Sequence, residues 1–169
     1  SFEDLERARI ELDAVDRPVP ILAKEFVLDE VQLRRAAIMG GDAALLIVRI
    51  LSPSRLAALV KASHGYGLEP LVEVATEDEL RIALDTDARL IGVNARDLDT
   101  LRMDPARAAH LVGLVPEDRI ALHLSGLKTE DDVRAVARGR ADGALVGEVL
   151  MRQDDPSELL TRLVAAAAG

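Results

Sequence analysis

The sequence predicts an α/β fold built on a parallel sheet, and three observations carry that prediction. Short apolar runs recur about every 22 residues, the mark of a supersecondary unit repeated along the chain. Each run is followed by a stretch with helical periodicity, and strand alternating with helix at this spacing implies parallel strands joined by right-handed crossovers. The apolar fraction of 49% includes only two Phe, one Tyr and no Trp in 169 residues, so the core is aliphatic, as in a helix-wrapped parallel sheet.

The runs are VPILAKEF from Val19, AALLIV from Ala43, EPLVEV from Glu69, RLIGVN from Arg89, RIALHLS from Arg119 and GALVGE from Gly143. Between them, residues 29–39, 53–64, 76–85, 105–115 and 129–137 are predicted helices, with another over 156–168 and one over 2–15 that precedes the first strand. Ser52-Pro53 and Asp104-Pro105 place a capping side chain before a proline at the first helical position, and Thr76 with Glu79 has the capping-box spacing. Gly40-Gly41 and Gly65-Tyr66-Gly67 supply helix stops. Nothing resembling a linker or low-complexity segment divides the chain, so residues 1–169 read as one domain. Period alone does not separate a doubly wound sheet from a barrel.

The formal charge of −9 argues against general nucleic-acid binding, which rests on surface cations. It does not exclude a local cationic pocket for one small anion. With no Cys the chain has neither disulfides nor thiolate chemistry. No long uncharged apolar stretch and no signal-peptide pattern occurs, so the reading is of a cytoplasmic protein with no membrane partner. No metal-ligand constellation or cofactor motif stands out.

Chemistry in a parallel barrel sits where strands end and the following loops begin, because side chains from several strands meet there. Lys24 ends the first run and Glu73 the third; Asn94 ends the fourth, with Arg96 two residues on; Ser125-Gly126 and Gly147 end the fifth and sixth. Each has an ordinary alternative: Lys24 as a solvated rim charge, Glu73 as a capping partner, Asn94 as a turn residue. A charged or amide residue closing three separate apolar strands weakens those alternatives jointly.

The segments AKEFVLDEVQLRRAAIMGGDAALLIV, LVEV, IGVNARDLDTL, LSGLKTEDDVRAV and GALVGEVLM, in that order, resemble the third to eighth strands of the indole-3-glycerol phosphate synthase family. The resemblance runs from about Phe2 to Leu163 and implies an incomplete TIM barrel, a six-stranded (βα) sheet corresponding to strands 3 to 8 of a (βα)8 barrel. That family closes an indole ring on a phosphorylated anthranilate-ribulose substrate, with loss of carbon dioxide and water. The resemblance makes Lys24 the general acid and Glu73 the general base. It makes Asn94 and Arg96 substrate-positioning residues, Arg96 through a forked contact to a carboxylate. Phe26 and Leu45 become the apolar wall for the aromatic ring, and Ser125, Gly126 and Gly147 the phosphate cradle. It implies no cofactor.

Two departures shape the functional expectation. The family's first strand carries a Glu-Ile-Lys-type motif with a second catalytic Lys, and no such motif occurs in these 169 residues. Where the family has Glu immediately before its Ser-Gly, this chain has Leu124. Lost acid-base or electrostatic groups typically cost roughly 10² to 10⁴ each in rate, so this chain alone is expected to turn over no appreciable substrate. Six strands also leave two open edges, at the first and last runs, so a homodimer through the open side is expected, with completion by another chain as the alternative.

Overall fold

A computed structural model describes residues 2–16 and 18–169. The predicted class is the one observed: six strands pair in chain order, β1-β2-β3-β4-β5-β6, and alternate with helices. The chain is an α/β protein with the strand-helix succession of an incomplete (βα)8 barrel.

The elements in order are α1 (Phe2–Leu12), β1 (Leu22–Ala23), α2 (Glu30–Ile38), β2 (Ala43–Ile47), α3 (Pro53–Gly65), β3 (Glu69–Val74), α4 (Glu77–Leu84), β4 (Leu90–Asn94), α5 (Pro105–Leu114), β5 (Ile120–Leu124), α6 (Glu130–Ala137), β6 (Gly143–Leu145), α7 (Glu148–Met151) and α8 (Ser157–Ala167). Two strands keep half or less of their apolar runs. Pro18 and Pro20 have no N–H to give a ladder, so β1 keeps only two residues of VPILAKEF. The last run turns into the short α7 at Glu148, and β6 keeps three. Helix starts follow the sequence signals: the Ser52 side chain accepts from Arg55 N, and Asp104 accepts from Arg107 N. Two full capping boxes, Asp29 with Gln32 and Thr129 with Asp132, were not singled out from the sequence.

The fold divides into two compact units, one of residues 1–74 with 78–90 and one of residues 75–77 with 91–169. In the first, β1, β2 and β3 pair in parallel with Leu22 opposite Ala43, Leu45 opposite Leu71 and Ile47 opposite Glu73. Leu46, Leu56, Leu59 and Val72 are fully buried there, each buried aliphatic side chain contributing about 1.5–3 kcal/mol. In the second unit β5 and β6 pair in parallel, with Leu124 opposite Leu145. Leu127, Val133, Leu163 and Ala166 form its helix-side core, where α6 packs on α8.

Both units use the same device at the start of a strand. Asp42 Oδ2 accepts from Ile21 N at 2.6 Å, while Asp42 N donates to Ile21 O at 2.9 Å. Asp142 Oδ2 accepts from Ala121 N at 2.8 Å, while Asp142 N donates to Ala121 O at 2.8 Å. An arginine fixes each carboxylate: Arg9 Nη2 reaches Asp42 Oδ2 at 2.5 Å, and Arg140 Nη1 reaches Asp142 Oδ2 at 2.7 Å. The Arg140 hydrogen bond, followed by the Ala121 amide, holds the Asp142 carboxyl below the usual aspartate range.

Arg9 also donates from Nε to Gly40 O at 3.1 Å. Its stem lies so close that a Cβ on Gly40 would meet Arg9 Cγ at 2.7 Å, and Gly40 has φ +83°. Gly40→Ala should therefore lower the free energy of unfolding by about 1–3 kcal/mol through left-handed backbone and a displaced Arg9. Urea denaturation checks this; an unchanged midpoint would show that the α1 anchor is dispensable.

Candidate functional site

The first unit holds four of the residues named from the sequence. Lys24 follows β1 directly and is exposed, and Phe26, in the same loop, is 67% exposed. Leu45 lies in β2 and Glu73 in β3, where Glu73 is only 4% exposed. Residues opposite one another in parallel strands point to the same face, and side chains alternate along each strand. Leu45 opposite Leu71 and Ile47 opposite Glu73 therefore put Leu45 and Glu73 on one face of the sheet. Glu73 is thus an acid inside an aliphatic surface, with Leu45 projecting the same way.

The other five belong to the second unit. Asn94 ends β4, is buried, and its Oδ1 accepts from Arg96 N at 2.9 Å, so the amide shapes the turn that launches Arg96. The loop that follows is a small hairpin. Arg96 bridges Met103 in antiparallel fashion, Asp97 N donates to Arg102 O at 2.9 Å, and Asp104 N returns to Ala95 O at 2.8 Å. Its tip is tied by Asp97 Oδ1, which accepts from the amides of Asp99 and Thr100 and from the Thr100 hydroxyl. Ala95 N donates to Leu124 O at 2.9 Å, so the base of the loop is anchored on β5.

Ser125 and Gly126 are both left-handed, with φ of +67° and +83°. For a serine that conformation costs about 1–3 kcal/mol and persists only where the surroundings impose it. At Gly126 there is no room for a side chain: Met103 Cε would lie 2.5 Å from a Cβ there, so the hairpin closes over the glycine. Gly147 is the N-cap of α7. The next residue, Glu148, accepts from Arg96 Nη2 at 3.1 Å and from Arg152 Nη2 at 2.7 Å. A carboxylate of the chain itself thus already contacts, at Nη2, the guanidinium expected to receive a substrate carboxylate.

Leu124 is 2% exposed and alternates with His123, which faces α5 and α6. The face on which a glutamate would precede Ser-Gly is therefore packed with an isobutyl group instead.

Arg107 was not identified from the sequence. On the first turn of α5, its Nη2 donates to Asn94 O at 3.2 Å and Ala95 O at 3.4 Å, and Nη1 lies 3.6 Å from Asp97 Oδ2. One guanidinium holds the end of β4 and the tip-forming aspartate together. A signal was available, because a cation in a helix's first turn opposes the macrodipole and needs another reason to be there. Among the described residues no group of three or more His, Asp or Glu is arranged to hold a metal ion.

The family model for indole-3-glycerol phosphate synthase matches residues 1–163. The chain belongs to the indole-3-glycerol phosphate synthase family. It is 43% identical over 168 residues to the indole-3-glycerol phosphate synthase of Kineococcus radiotolerans, covering 99% of this chain and 60% of that protein. It is 44% identical over 146 residues to indole-3-glycerol phosphate synthase 2 of Streptomyces coelicolor, covering 86% and 57%. A "Multifunctional tryptophan biosynthesis protein" of Schizosaccharomyces pombe is 38% identical over 164 residues, 97% of this chain and 22% of that protein. The chain thus spans about 60% of the length of the first curated synthases it matches. Among solved structures, 3-hexulose-6-phosphate synthase from Salmonella typhimurium superposes with a TM-score of 0.82 at 12% identity, over 99% of this chain and 80% of that one. At that identity the likeness concerns the fold alone.

Within this family member the hairpin over 95–104 should depend on Arg107. Arg107→Ala is expected to cost about 1–3 kcal/mol, because partly buried carbonyls and Asp97 lose a charged donor. Amide exchange at Ala95 and Asp104 should quicken with it. Unaltered exchange at those two amides would mean that the hairpin stands without the arginine.

Proposed function

We propose that this chain is an indole-3-glycerol phosphate synthase-type protein that retains ligand-holding groups of the family's site while being catalytically defective as these 169 residues alone. The observation that carries this reading is Leu124, buried beside Ser125-Gly126 on a strand end whose other polar residues match the family. Lys24 and Glu73 stand where the family's acid and base stand; Asn94 and Arg96 match its substrate-positioning residues; Ser125, Gly126 and Gly147 match its phosphate cradle. Among them the left-handed Ser125-Gly126 pair is the strongest support, since a strained serine before a glycine presents consecutive backbone amides, a known way of receiving an oxyanion. Phe26 and Leu45 complete the carry-over as the wall for an aromatic ring.

A second element concerns assembly. Phe26, Leu28, Val31 and Ile38 are exposed apolar residues in the first unit, and Met151 is one in the second. Such surface favours association, and we propose a homodimer as its natural cover.

Two measurements on one sample test the functional reading. Calorimetry with the phosphorylated anthranilate-ribulose substrate should show saturable binding, and continuous indole fluorescence should show no turnover above the uncatalysed rate. Turnover by the chain alone would refute the catalytic defect, and absence of heat at millimolar ligand would refute the retained pocket.

A further inference from the structure

The second unit contains a crevice that reaches beyond the expected phosphate cradle, touching it only at Ser125 and Gly126. It lies on the helix side of β5, between α5 and α6, and has a volume of about 150 Å³. Ala109, Val112, Leu127, Ala135 and Val136 supply apolar walls, and His123 lines it from the strand. A cavity of about this size accommodates one benzene-sized ring. We propose that this crevice is a binding site for a neutral, single-ring molecule carrying one O–H or N–H donor, which the His123 ring accepts.

Charge decides the first part. Two charged residues also line the crevice, and both are engaged elsewhere. Asp132 Oδ2 accepts from the amides of Lys128 and Thr129 at 3.0 and 2.9 Å. Arg140 donates to Pro116 O and Arg119 O and pairs with Asp142. Each already has partners, so a charged ligand would lose its hydration and have to compete with these contacts for a counter-charge. A neutral one loses little.

The donor requirement comes from His123. The residue is 4% exposed, and burial, its largest influence, pushes the ring below the ordinary imidazole range, so it is neutral at pH 7. Its bond to the Ser125 main chain favours the protonated form, which makes the ring the donor in that contact. A neutral imidazole that donates through one nitrogen can only accept through the other. Water could satisfy that acceptor but would leave the exposed Ala109 and Ala135 uncovered, whereas a ring bearing a hydroxyl or amine satisfies both.

Phenol, benzene and benzoate are the probes, and NMR of the His123 ring nitrogens in the whole chain is the readout. Phenol should shift the accepting nitrogen saturably and bind about tenfold more tightly than benzene, the factor expected for one hydrogen bond. Benzoate should leave the signals in place. Ala135→Leu and, separately, Ala109→Leu project a side chain into the crevice from exposed helix positions, and each should abolish the phenol effect. The proposal is overturned if phenol leaves His123 unmoved, if benzene or benzoate binds as well as phenol, or if both filled variants still bind phenol as the unaltered chain does.

Discussion

Parallel strands all begin at one edge of a sheet and all end at the other, so each must be registered against its neighbour where it starts. For β1 with β2 and β5 with β6 an aspartate does that work. Asp42 and Asp142 each exchange two hydrogen bonds with a residue at the start of the preceding strand, Ile21 just before β1 and Ala121 in β5, and an arginine holds each carboxylate in place. The arginine comes from a different element each time, Arg9 from α1 and Arg140 from the turn after α6, so the repeat conserves the contact and not its source. Slipping either strand by one residue would exchange the side chains on its two faces, and the latch opposes that slip where pairing begins.

With the starts fixed, the opposite edge is free to carry irregular backbone, and there the polar residues gather. Asn94 turns the chain, Asp97 ties a hairpin, Ser125 and Gly126 adopt left-handed backbone, and Gly147 opens α7. None of these would be tolerated inside a ladder. Arg107 and Met103 hold the irregular parts together, one by hydrogen bonds to β4 carbonyls and the other by packing over Gly126.

Fold class and helix positions were legible because they follow from period, caps and proline or glycine punctuation, which are local; strand order came only with the family resemblance, since period does not separate a barrel from a doubly wound sheet. Asp29 with Gln32 and Thr129 with Asp132 were equally local, and their carboxylate and amide partners simply lay outside the serine- and threonine-glutamate patterns sought. The shortening of β1 was also readable, since Pro18 and Pro20 flank it. Arg9, Arg107 and the pairing of Glu148 with Arg96 were not, because each joins residues that only folding brings together. Of the site itself, the sequence named the side chains at the strand ends, whereas the structure added how they are held and that Glu148 already occupies Arg96.

The anion-receiving strand end proposed beside Leu124 can be read out residue by residue, by backbone amide NMR during titration with inorganic phosphate. Ser125, Gly126 and Gly147 are expected to shift together along one saturation curve. Phosphate that leaves those three amides unmoved while the protein stays folded would contradict that proposal.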